Sequence, residues 1–158
     1  MTDYDRLGKE QERRIVRWAR EHGFPFADRI VRTGAGKDYA HRADEGDVWL
    51  CPGVVVQSKR LSPPNRAERA VPGWMIQTEF QRAAAKADVA LLIVRRAGTA
   101  DVGEWWCFLP AFILARLLWI GATSTTWARA DFPVRLLVSD AAKLLIAAGY
   151  GSDTEGAA

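Results

Sequence analysis

The sequence has two cysteines, Cys51 and Cys107, and two histidines, His22 and His41. Neither cysteine stands in a CxxC pair or a Cys/His spacing, which excludes a zinc finger and a fold stapled by disulfides. No apolar run reaches the roughly 20 residues that a bilayer span needs. The most apolar stretch, Phe108 to Ile120, is interrupted by Pro110 and Arg116. The chain opens on charged and polar residues rather than the apolar core of a secretory signal, so a cytoplasmic protein with reduced thiols is expected. A Walker loop is missing, because Gly34-Ala35-Gly36-Lys37 lacks the GxxxxGK[ST] spacing. Internal repeats and low-complexity segments are absent as well.

What remains is a globular balance. The 158 residues are 49% hydrophobic and 26% charged, enough for one domain with a sizeable core. The net charge of +3 is unevenly spread: residues 1–96 hold 18 Lys or Arg against 13 Asp or Glu, and residues 97–158 hold 4 against 6. The basic excess is mostly arginine, whose planar fork suits phosphate oxygens. A GC-rich genome would enrich arginine in the same way.

Residues 7–22 read as an amphipathic helix, with Leu7, Ile15, Val16 and Ala19 on the apolar side and Arg13, Arg14, Arg17 and Arg20 on the solvated one. Gly23 and Pro25 end it. Residues 27–32 suggest a short strand and 33–46 a polar, glycine-rich loop. Asp47–Leu50 and Val54–Ser58 form a hairpin around Cys51-Pro52-Gly53. Residues 61–72, with three prolines, are expected as a loop. A helix follows over Gly73–Ala87, a buried strand over Val89–Arg95 and another strand over Glu104–Leu109. A helix over 111–122, a strand over Arg135–Val138 and a helix over Ser139–Ala148, capped by Ser139, complete the order. The tail, 151–158, is expected to be disordered.

Three features break these patterns. Glu12 precedes Ile15, Val16 and Ala19 by three, four and seven residues, which puts its carboxylate on or beside the inward helix face; the plain alternative is a surface glutamate among arginines. Asp47 opens a strand directly after Gly46, where a turn aspartate would be ordinary. Gln57 and Lys59 project from one face of an otherwise apolar strand, unless that strand simply runs out into solvent. Taken together they are more specific. Asp47 and Gln57 sit on neighbouring strands of a tight hairpin, where cross-strand partners lie about 5 Å apart. Carboxylate and carbonyl oxygens suit Mg²⁺ or Mn²⁺, and Lys59 can reach an attacking water or a phosphate oxygen. A phosphodiester hydrolase needs these parts.

Asp47, followed about ten residues later by Gln57-x-Lys59, on a helix–three strands–helix–strand order, resembles the PD-(D/E)xK nuclease superfamily. The closer resemblance is to the archaeal-type Holliday-junction resolvases and their phage relatives. It runs through Gly8, Glu12-Arg13, Ile15-Val16 and Gly23-Phe24 in the opening helix, Gly46-Asp47-Val48, Gln57 and Lys59, Glu79-Phe80, and the strands Ala90 to Val94 and Glu104 to Phe108. It covers roughly residues 8–109. The family usually has Glu where this chain has Gln57, which removes one negative charge and weakens metal binding.

The resemblance implies an α/β fold: a restriction-endonuclease-like α-β-β-β-α-β core with a mixed central sheet over 1–109. Residues 110–150, which have no counterpart in the family, are expected to form a C-terminal helical extension packed on the core or at an interface. The resemblance also implies a structure-selective DNA endonuclease of recombination and repair, in a bacterial or phage-infected cell, cutting four-way junctions or other branched DNA. Glu12, Asp47, Gln57 and Lys59 would be catalytic, the first three as ligands of Mg²⁺, with Mn²⁺ able to substitute. A general restriction- or repair-type nuclease stays open as well, and Gln57 keeps open a catalytically weak DNA-binding module.

Arg32, Lys37, Arg60 and Arg66 are the candidate phosphate contacts, the first two flanking a small-residue loop that permits close approach. His41 with Asp38, Asp44 and Glu45 reads as a solvated charged loop rather than a metal cluster. Trp105 and Trp106, adjacent on a strand, must face opposite sides, one toward the core and the other toward an interface or DNA. Two symmetric nicks in a junction call for a homodimer. The run 108–120 and Trp119 are candidate glue, or else fold back onto the sheet.

Overall fold

The computed structural model describes residues 3–31, 44–60, 67–118 and 130–152. Its order is α1 (Asp3–Glu21), β1 (Asp28–Arg29), β2 (Val48–Cys51), β3 (Val54–Lys59), α2 (Ala67–Ala84), β4 (Val89–Val94), a 3₁₀ turn (Val102–Glu104), β5 (Trp106–Pro110), α3 (Ala111–Leu117), β6 (Pro133–Leu137) and α4 (Val138–Ala147). The strands form one open six-stranded sheet in sequence order. Among the described residues, β3 and β4 run parallel and every other neighbouring pair is antiparallel. The architecture is α/β with a mixed sheet. Among the described residues, no helix is long and apolar enough to cross a membrane.

The expected hairpin forms, with Val48 opposite Val56 and Trp49 opposite Val55. Gly53 turns it at φ +84°, where an added Cβ would meet the Asp88 carboxylate at 2.7 Å. Side-chain alternation then sorts the strands between two layers. Val54, Val56, Leu91 and Ile93 pack with Ile15, Val16 and Ala19 of α1, while Leu92 and Val94 pack with Val71 and Met75 of α2. Covered on both faces, β4 is buried at all six positions, which is why it reads as an unbroken apolar run.

Several sequence expectations need correction. Leu7 is 39% exposed, so the buried stripe of α1 begins a turn later, at Gln11. The proline-bearing segment is helical from Ala67, with Pro72 inside α2. Pro72 is the sixth residue of α2 and costs the helix one backbone hydrogen bond, which burying Val71 and Met75 against the sheet offsets. Glu104 belongs to the 3₁₀ turn rather than to β5. Ser139 does not cap α4; Leu137 holds that position without a side-chain hydrogen bond.

The C-terminal third is more than a helical extension. Strand β6 pairs with β5 along its length, and Val138, Ala141, Ala142 and Leu145 of α4 share one core with α1. Ile113 and Leu117 of α3 are buried there too, so within the described part of the run 108–120 most of the apolar side chains are internal. Gly151 and Ser152 are also held, the latter donating its N–H to Gly23 O at 2.8 Å. Residues 153–158, and Trp119, lie outside the described residues.

Candidate active site

Antiparallel and parallel pairings bring the end of β1, the start of β2, the ends of β3 and β4 and the start of β5 to one edge of the sheet. All four candidate catalytic residues are there. Asp47 stands one residue before the Val48–Val56 pair, hence opposite Gln57, and its N–H donates to Val56 O at 2.9 Å. Gly46 delivers it from a left-handed conformation, φ +104°, that other residues rarely adopt.

The Asp47 carboxylate accepts the main-chain N–H of Ser58 at 2.7 Å. This contact clamps the start of β2 to the end of β3. Glu12 reaches the same edge from α1. Its neighbour Gln11, buried in the α1–sheet contact, donates to Ser58 Oγ at 2.7 Å and to the Lys59 carbonyl at 2.9 Å. Glu12 itself is gripped by Arg29 of β1, whose Nε and Nη2 lie 2.7 and 2.6 Å from one carboxylate oxygen. Burial raises the pKa of Glu12 above its ordinary 4.5; Arg29 pulls it down, and the charge of Asp47 pushes it up again. Two carboxylates therefore feel each other at this edge, and the net balance disfavours ionised Glu12.

Pairing puts Gln57 on the same face as Asp47, and with Lys59 it looks toward α2. Gln57 is 1% exposed. Thr78 Oγ1 donates its single proton to Trp74 O at 2.7 Å, so it can only accept from Gln57, whose amide nitrogen lies 2.6 Å away. The amide oxygen then faces Lys59 Nζ at 3.3 Å and Gln81 Nε2 at 3.2 Å. The amide and the ammonium converge, as their strand spacing implies. The oxygen is already engaged by these donors, which makes Gln57 the weakest of the proposed ligands.

As a donor set for a hard divalent cation, two carboxylates and an amide oxygen are chemically suitable. A cation would also relieve the repulsion between Glu12 and Asp47. Among the described residues, no cluster of three or more His, Cys, Asp or Glu side chains stands ready to hold a metal, so any such site draws on the amide, the substrate or water.

Of the candidate DNA contacts, Arg60 directly follows β3 at this edge; Arg32, Lys37 and Arg66 lie outside the described residues. Glu79 pairs with Arg82 at 2.5 Å, and Phe80 is 73% exposed. Four site residues escaped the sequence reading. Gln11 belongs to the buried stripe of Ile15 and Ala19, and Thr78 and Gln81 to that of Val71 and Met75; a polar residue in an apolar stripe is a readable signal. Arg29 has none, because its role depends on pairing a two-residue strand across the chain. Compared with protein-family models, curated proteins and solved structures, the chain finds no match.

Proposed function

We propose that the protein is a metal-dependent endodeoxyribonuclease with a restriction-endonuclease-like core, selective for branched DNA such as four-way junctions. The observation that carries this reading is the placing of Glu12, held by Arg29, and of Asp47, held by the Ser58 N–H, at the end of the sheet where Gln57 and Lys59 also emerge. The helix–three strands–helix–strand order supports it, as does the parallel β3–β4 pair.

In this reading Glu12 and Asp47, with Gln57 as the weaker third donor, hold Mg²⁺ or Mn²⁺. Once bound, the cation polarises the phosphoryl group and lowers the cost of generating hydroxide from water. The protein groups do the remainder. Arg29 fixes the Glu12 carboxylate, and the Ser58 N–H orients that of Asp47. Lys59, held beside the Gln57 amide, stabilises charge that develops on phosphate oxygens. A homodimer with two-fold symmetry supplies the second nick.

The test is cleavage, with Mg²⁺, of a four-way junction and of a linear duplex built from the same arms. Preferential cutting of the junction is the expected result. Equal cutting of both favours a general nuclease, and DNA binding without cutting favours a silent binding module.

A further inference from the structure

The start of β5 carries a second arrangement that the catalytic reading does not use. Trp105 and Trp106 point to opposite faces of the sheet: Trp105 is fully buried in the α1-side core, and Trp106 is half-buried beside Leu92, Val94 and Phe108 on the α2 side. Each ring carries two guanidinium groups. Arg14 of α1 and Arg95 lie 5.6 and 5.9 Å from the Trp105 ring centre. Arg96 and Arg135 of β6 lie 4.6 and 4.5 Å from that of Trp106. The adjacent pair Arg95-Arg96, at the end of β4, thus divides between the two faces as the adjacent tryptophans do.

This arrangement adjoins the candidate catalytic edge. Arg95 donates its N–H to the Lys59 carbonyl at 3.1 Å. Burial chiefly, and then the charges of Arg60 and Arg14, lower the pKa of the Arg95 guanidinium. Concentrating cations costs the folded chain Coulomb energy, a cost that a bound polyanion removes. A guanidinium lying on an indole keeps in-plane N–H groups for phosphate oxygens and loses less freedom on binding them; Arg14 spends one of its own on Ala100 O, at 2.7 Å.

We infer that Trp105 and Trp106 splay these four arginines into a clamp for the phosphate backbone of DNA, one pair on each face of the sheet edge that bears Lys59. The identity of the ligand rests on the nuclease reading above. The clamp assigns to β6, through Arg135, a part in binding that its place beyond the catalytic edge does not suggest.

The experiment is the salt dependence of junction binding in EDTA, where cleavage is silent, from about 50 to 200 mM salt. Arg96→Gln/Arg135→Gln removes two exposed side chains, and Arg14→Gln/Arg95→Gln removes the pair on the other face. Each double variant is expected to flatten the plot of log affinity against log salt by about two and to weaken binding roughly tenfold. The control Arg116→Gln/Lys143→Gln removes equal charge from α3 and α4, away from the edge, and should leave the slope unchanged. Arg96→Lys/Arg135→Lys keeps the charge but not the planar stack, and should fall between wild type and the Gln variant. Melting curves confirm that each variant folds.

Wild-type slopes in both Gln variants, or an equal loss in the control, overturn the clamp. If that happens while wild type still cuts DNA with metal, the nuclease reading survives. If wild type binds no DNA at all, both fail.

Discussion

Arg29 holds Glu12 through a single carboxylate oxygen, with Nε at 2.7 Å and Nη2 at 2.6 Å. Even so, burial and the charge of Asp47 leave Glu12 titrating above 4.5. Asp47→Asn should bring that value down and Arg29→Gln should raise it further, both measurable by carbon NMR of the Glu12 carboxyl. Because the folded chain binds this proton more tightly than the unfolded chain does, the stabilising contribution of this group is largest below 4.5. It is lost as pH rises through the folded value. If Mg²⁺ binds here, adding it should lower the Glu12 titration.

The Asp47–Ser58 contact predicts a separation of activity from stability. Asp47→Ala should abolish cleavage while costing only about 0.5–1.5 kcal/mol, the net worth of one hydrogen bond, since the half-buried Ser58 N–H can turn to water. Chemical denaturation measures the second quantity. Loss of folding in parallel with activity would assign Asp47 a structural role instead.

Gln57 sits between an ammonium and a hydroxyl, so the site has room for a carboxylate. Gln57→Glu should fold, because Lys59 lies beside it and Thr78 can donate its proton to the new acceptor. Metal affinity and cleavage should be retained or increased. Thr78→Val should destabilise the protein by about 1–3 kcal/mol by leaving the buried Gln57 donor unpaired. Metal titration by calorimetry and thermal melting check the two claims.

Much of this was legible in the sequence, and the unreadable parts share a cause. Alternation alone put Gln57 with Lys59, and Trp105 opposite Trp106, because a strand has only two faces. Helical spacing placed Glu12 beside Ile15 and Ala19. Three prolines argued for a loop through residue 72, yet α2 begins at Ala67 because Val71 and Met75 find a sheet to cover. Local composition cannot report a tertiary contact of that kind. The partnerships of Glu12 with Arg29, and of Gln57 with Thr78 and Gln81, are likewise made between distant segments. The sixth strand was read as a strand, but its place in the sheet is a matter of pairing.

That pairing has a consequence for truncation. Leu145 is fully buried in the core shared with α1. Leu145→Ala should cost about 2–5 kcal/mol, with a single cooperative transition by fluorescence and circular dichroism. Two separate transitions would mean that the C-terminal third folds independently of the rest of the chain.

The most direct measurement of the central claim is a cleavage time course on a labelled four-way junction, with wild type and Asp47→Ala side by side, in Mg²⁺ and in EDTA. The account predicts paired nicks by wild type in Mg²⁺, none in EDTA and none by Asp47→Ala in either. Cutting that persists in EDTA or in Asp47→Ala, or a folded wild-type protein that binds the junction in Mg²⁺ and leaves it intact, would contradict it.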